Sequence, residues 1–187
     1  MAGMRRRLGF ALLAAAVFPV ALQVVPLAAA GTDWGPVQFL VGRWTGEGGG
    51  APGAGTGAFS FTPDLQGAVL VRKSFAEYPA AGGRPAARHD DLTLVYRDGT
   101  SPSMRALYFD NEGHVIPYVV RPSENGVVFT SDGQRDQPRY RLTYTRDGPD
   151  HLRLKFEIAP PGKEFHSYIE SVARREAAAP PPPKKAR

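Results

Sequence analysis

From residue 42 onward the apolar and polar positions of this chain alternate with a period of two, and no stretch there sustains the 3.6-residue apolar period of a helix. In Leu152-Arg153-Leu154-Lys155-Phe156-Glu157-Ile158 the even positions are all apolar and the odd ones all charged, which describes a strand with one covered and one solvated face. Tyr140, Leu142 and Tyr144 stand in the same way opposite Arg141, Thr143 and Thr145. Leu92, Leu94 and Tyr96 alternate along another run. Met104, Ala106, Tyr108 and Asp110 share a face, as do His114, Ile116, Tyr118 and Val120. In the last run Phe165, Ser167, Ile169, Ser171 and Ala173 form the smaller, more apolar set, which leaves His166, Tyr168 and Glu170 on the outside.

Turn signals separate these runs at short intervals: Asp98-Gly99, Asn111-Glu112-Gly113, Asn125-Gly126, Asp132-Gly133, Asp147-Gly148 and Pro160-Pro161-Gly162. The pattern predicts strands near 42–48, 57–63, 68–78, 90–97, 104–110, 114–121, 126–131, 138–146, 151–159 and 164–175. Without helices to cover a flat sheet, such a meander is expected to close on itself. The fold expected is therefore all-β, an antiparallel up-and-down β-barrel of about ten strands. Asp33, as a helix N-cap, and the apolar Trp34, Phe39 and Leu40 predict a short helical turn leading into it. The first strand, Gly42-Arg43-Trp44-Thr45-Gly46-Glu47-Gly48, puts Trp44 inward as a plug, with glycines on the same face that permit bending or close approach.

The two ends of the 187-residue chain differ from this middle. Arg5-Arg6-Arg7, the apolar stretch Leu8–Val25 and Ala28-Ala29-Ala30 have the order of a secretory signal, so residues 1–30 are read as a signal peptide. The expected location is outside the cytoplasm, periplasmic or extracellular, with no membrane span left after cleavage. Residues 177–187, with four consecutive prolines followed by Lys184, Lys185 and Arg187, are read as a disordered tail. The formal charge of +5 comes from these ends: three arginines lie before the apolar stretch and three basic residues after the prolines. That leaves 17 of the 23 basic residues in 31–176, against all 18 acidic ones. A near-neutral domain lacks the footprint of a nucleic-acid binder. The absence of cysteine excludes disulfides and thiolate metal sites, so the domain at 31–176 relies on its own core.

Several inward tyrosines point either to a shared hydrogen-bond network or to a cavity that holds a ligand; a fully packed barrel is the competing reading. Arg72 lies in a run that is apolar on both faces, so alternation leaves its direction open between a cavity anchor and a surface arginine. His89-Asp90-Asp91 offers hard or borderline metal ligands, but a charged loop entering a strand accounts for it equally, and no metal is assigned. An acid–base pair could be built from His114 and Asp110, but no nucleophile motif accompanies them and no catalytic residue is assigned. Pro117 lacks a ladder donor, which predicts a bulge or a partly open edge beside it. The glycine-rich stretch 48–57 has no following helix or Gly-Lys-Ser/Thr and is read as a flexible connection.

The Gly-x-Trp-x-Gly-x-Gly of the first strand, the helical lead-in and the strand number resemble the calycin group, in particular the nitrobindin-like and fatty-acid-binding-protein-like barrels. Gly67-Ala68-Val69-Leu70-Val71-Arg72 and the run from Tyr108 to Tyr118 also resemble small lipocalin-like proteins that bacteria export. The resemblance implies a monomeric barrel that holds a small apolar or amphipathic, lipid-like ligand. The candidate ligand-binding residues are then Trp44, Arg72, Tyr108, Tyr118, Tyr140 and Tyr144, with Arg72 as the charge partner of a carboxylate and the tyrosines as hydroxyl donors. Likeness to nitrobindins implies a haem alternative through His166, which a β-bulge would have to turn inward. Otherwise no cofactor is expected.

Overall fold

The computed structural model describes residues 33–47, 55–99, 101, 103–133 and 136–177. The signal peptide expected over 1–30 and all but the first residue of the tail expected over 177–187 lie outside the described residues, as do Gly48 and most of the glycine-rich connection.

Ten antiparallel strands form a closed barrel in which each strand pairs with its sequence neighbours and the last pairs with the first. They are β1 (Gly42–Glu47), β2 (Thr56–Asp64), β3 (Val69–Tyr78), β4 (Ala87–Arg97), β5 (Met104–Asp110), β6 (Val115–Ser123), β7 (Gly126–Ser131), β8 (Arg139–Arg146), β9 (His151–Ala159) and β10 (His166–Arg175). Closure leaves no strand edge unpaired, and it follows from a sequence that supplies tight turns but no crossover helix.

One end of the barrel is sealed. A 3-10 helix, Gly35–Leu40, has the Asp33 carboxylate accepting the Gly35 N–H at 2.7 Å. It lies against β6 and β7 and buries Trp34, Val37 and Leu40 completely. Trp44 follows, its indole Nε1 donating to the Leu40 carbonyl at 2.8 Å. The Arg175 guanidinium sits 4.1 Å from the Trp44 ring centroid and donates to the carbonyls of Val41 and Phe39. One arginine thus satisfies carbonyls at the end of the 3-10 helix and clamps it to the barrel. Gly42 makes room for the clamp: its φ is +131°, and a Cβ there would lie 2.6 Å from Arg175 Nη1.

Gly126 is needed for a different reason. A Cβ at this position would come within 1.9 Å of the Tyr144 carbonyl oxygen on β8. Gly126→Ala is expected to cost about 1–3 kcal/mol through forced separation of β7 and β8. Urea unfolding checks this, and a wild-type midpoint would disprove the constraint.

The alternation has the expected period everywhere but not always the expected phase. On β4 it is Asp91, Thr93 and Val95 that face inward, because they stand opposite the inward Ser74, Arg72 and Leu70 of β3. Leu92, Leu94 and Tyr96 consequently face out. β4 also starts earlier than expected, so His89 belongs to the strand and not to a loop. On β10 the register with β9 shifts between Ser167 and Ile169. Beyond the shift His166 stands opposite Ile158, an interior position, while Ser167 stands opposite the outward Glu157. Phe165 packs under the guanidiniums of Arg139 and Arg141 on the outer side. The expectation that His166 faces outward with Tyr168 and Glu170 is therefore corrected, as is the inward placement of Phe165 and Ser167. No register shift accompanies Pro117, which pairs with Leu107 on β5 and whose carbonyl accepts the Asp132 N–H.

Candidate functional site

The barrel interior has two unlike halves. Toward the sealed end it is filled by aromatic rings: Phe59 contacts Trp44, Phe61 and Tyr144 with centroids 5.9–6.2 Å apart, and Phe129 joins Tyr118 to Tyr144. Trp44, Tyr118 and Tyr144 are all buried in this packing. Toward the other end the inward side chains keep partial solvent exposure. Tyr140, Leu142, Leu154, Phe156, Ile158 and Ile169 share the inward face of β8, β9 and β10 by register, and each is only half-buried. They form the partly exposed end of the interior, a cup whose Tyr140, Leu142 and Leu154 also pack against the buried core. Tyr140 stacks on Phe156 at 6.0 Å, which makes this wall flat and firm.

The opposite wall carries charged and hydroxyl side chains on β3, β4 and β5, while β6 adds Ile116 and Tyr118. Arg72 points inward, opposite Phe61 on β2 and Thr93 on β4. This resolves the direction that alternation left open. Its guanidinium is ion-paired with Asp91, the two side chains being 11% and 8% exposed, and it lies 5.3 Å from the Phe59 ring centroid. Burial disfavours the guanidinium charge, but Asp91 together with Tyr144 and Tyr108 outweighs it and raises the Arg72 pKa, so this side chain remains ionised. The Tyr144 hydroxyl lies beside the same guanidinium. Arg72 Nε itself has no hydrogen-bond partner among the described residues.

Above this pair runs a chain of hydrogen bonds at the rim. His89 Nε2 lies 3.0 Å from the Tyr108 hydroxyl, the hydroxyl donates to Asp110 at 3.1 Å, and Asp110 lies 2.9 Å from His114 Nδ1. Asp110 also accepts the backbone N–H groups of Glu112 and His114, which holds the β5–β6 turn. Burial together with Asp91 and Asp110 pushes the Tyr108 hydroxyl pKa strongly up, so the phenol stays neutral and donates. Burial also pushes the Asp110 pKa up, but the hydrogen bonds from His114, Glu112 and Tyr108 outweigh it, and the carboxyl is held below the usual carboxylate range.

A folded-state pKa below the unfolded value means that Asp110 contributes stability above its unfolded pKa and loses it as pH falls through that value toward the folded one. Asp110→Asn is expected to flatten the acid side of the stability–pH profile below about pH 4. Urea midpoints measured between neutral and acid pH test this, and parallel profiles for the two proteins would refute it. Glu157, whose pKa is lowered mainly by its paired hydrogen bonds from Arg141, supplies a residual slope on the outer wall.

Of the candidate ligand-binding residues, Arg72, Tyr108 and Tyr140 line or underlie the cup, whereas Trp44, Tyr118 and Tyr144 belong to the packed half beneath it. His166 is exposed on the rim, with no hydrogen-bond partner among the described residues. Asp91 and His89, which the sequence offered as metal ligands or a charged loop, belong instead to the polar wall. The parity of Asp91 with Thr93 and Val95 is the signal that could have placed it. A depression of about 360 Å³ lies along β3–β5, lined by the outward Lys73, Leu92 and Phe109 and by the inward Ser74, Asp91 and Asp110.

Among the described residues no group of three or more His, Asp or Glu side chains is arranged to hold a metal ion, and no helix is long and apolar enough to cross a membrane. No protein-family model matches the chain, and no curated protein matches it at a significant level.

Proposed function

We propose that this protein is an exported, monomeric carrier or sensor barrel that holds a small amphipathic, lipid-like molecule in its open half. The observation that carries the reading is the partial exposure of inward apolar side chains on β8–β10 facing a polar wall on β3–β5. An alkyl or ring system laid against Leu142, Leu154, Phe156 and Ile158 would leave water and cover the apolar surface they still expose, at about 25 cal/mol per Å². The polar wall offers Tyr108 as a neutral donor. Calycin-type likeness in strand number and first-strand motif supports the same reading, and the arrangement Arg5-Arg6-Arg7, apolar stretch and Ala28-Ala29-Ala30 supports export.

Native mass spectrometry of protein recovered from an exported preparation tests the reading. A discrete mass excess that is lost on denaturation is expected, and Phe156→Arg should abolish it. A bare mass in the wild type, together with no uptake of the alkyl probes described below, would overturn it.

The haem alternative gains one supporting observation, the β10 bulge that brings His166 to the interior parity. The surroundings of His166 do not fit a haem ligand. The ring is exposed, and among the described residues nothing hydrogen-bonds it to fix its orientation, as metal-ligating histidines require.

A further inference from the structure

We propose that the polar group of the bound molecule is uncharged, a hydroxyl, ester or ketone, and not a carboxylate. This rests on the cup reading above and specifies its ligand. The inference follows from the charges that face the interior. Among the described residues of the cup wall, Arg72 is the one cation fixed by charge, and Asp91 already neutralises it inside the barrel. Arg175, the other inward guanidinium near the axis, lies under the Trp44 floor and is committed to the carbonyls of Val41 and Phe39.

Asp110 adds a second interior carboxylate directly opposite Asp91 in the β4–β5 register, its side chain only 4% exposed. Glu112 stands at the rim against His89. Two interior carboxylates therefore face one guanidinium, and a third carboxylate arriving with a ligand would meet like charge in a poorly solvated space.

A neutral oxygen acceptor meets no such repulsion. It would also serve Arg72 Nε, which is buried without a partner where the polar wall meets the packed half. An unpartnered buried donor is costly, so an acceptor oxygen gains more here than it would at a satisfied site. The expectation that Arg72 anchors a carboxylate is thereby replaced: with Asp91 in place the arginine is a neutralised donor.

Calorimetric titration of the full chain with 1-decanol, methyl decanoate and decanoate at pH 8, above the ordinary histidine range, tests the proposal. The alcohol and the ester are expected to bind at least ~10-fold more tightly than decanoate. Decanoate binding as tightly or more tightly would overturn the proposal while leaving the cup reading intact. Failure of all three to bind would overturn both.

Asp91→Asn, which releases Arg72, should narrow the alcohol-to-acid ratio by about threefold or more. Should that variant not fold, the same narrowing is to be read in Asp110→Asn. An unchanged ratio in the variant that folds would overturn the assignment to these charges.

Discussion

Replacing Asp91 with alanine will destabilise the barrel by about 3–5 kcal/mol, because it strands the Arg72 charge in the interior. The magnitude follows from how little freedom the arginine has to respond. An arginine keeps its proton throughout the ordinary pH range, so it cannot shed it to escape burial. Its stem lies between Phe61 and Thr93 in the register, and aromatic rings close the space below. The reverse truncation, Arg72→Met, will cost less: it leaves a carboxylate, which can take up a proton and become neutral. The double replacement Arg72→Met with Asp91→Leu should recover most of the loss, since removing both charges also removes their desolvation. Urea unfolding of the three variants reads the order directly. A loss below about 1 kcal/mol in Asp91→Ala would place the pair in the class of solvated surface bridges and remove the basis for a polar wall inside the barrel.

The same pair shows why the fold was more legible in the sequence than the site. Alternation in β8 and β9 settles their faces, because apolar and charged residues alternate without a break in Leu152–Ile158. β4 obeys the same period with the opposite phase. Choosing the more apolar set as the inner one places Leu92, Leu94 and Tyr96 inside. The barrel instead turns Asp91, Thr93 and Val95 inward, since the partner that makes Asp91 tolerable there, Arg72, comes from another strand. A cross-strand ion pair leaves no mark in the local pattern of either strand.

His166 escaped for a related reason. The bulge between Ser167 and Ile169 inverts the parity of everything before it, yet no glycine or proline in His166-Ser167-Tyr168-Ile169 announces it. In contrast, the rim pair of His114 and Asp110 was legible, because a turn at Asn111-Glu112-Gly113 brings two nearby residues to one face.

Trp44→Ala will cost about 3–5 kcal/mol and lower the melting temperature by about 6 °C or more, the second large effect expected from one side chain. Three separate contributions meet at this indole. Removing the ring opens a void beside Phe59, whose stacked partner it is. The Leu40 carbonyl loses the Nε1 donor at the end of the 3-10 helix. The Arg175 guanidinium loses the ring face it covers while still holding the Phe39 and Val41 carbonyls.

Trp44→Phe separates these contributions. It retains most of the stacking and the surface under Arg175 but cannot donate to Leu40, so its expected cost is nearer 1 kcal/mol. Arg175→Lys tests the clamp itself, since a lysine cannot offer two parallel donors to the two carbonyls. Thermal unfolding of all three variants should order them with Trp44→Ala lowest. If Trp44→Phe proved as damaging as Trp44→Ala, the hydrogen bond to Leu40 and not ring packing would hold the sealed end. The floor beneath the cup would then depend on a single backbone carbonyl.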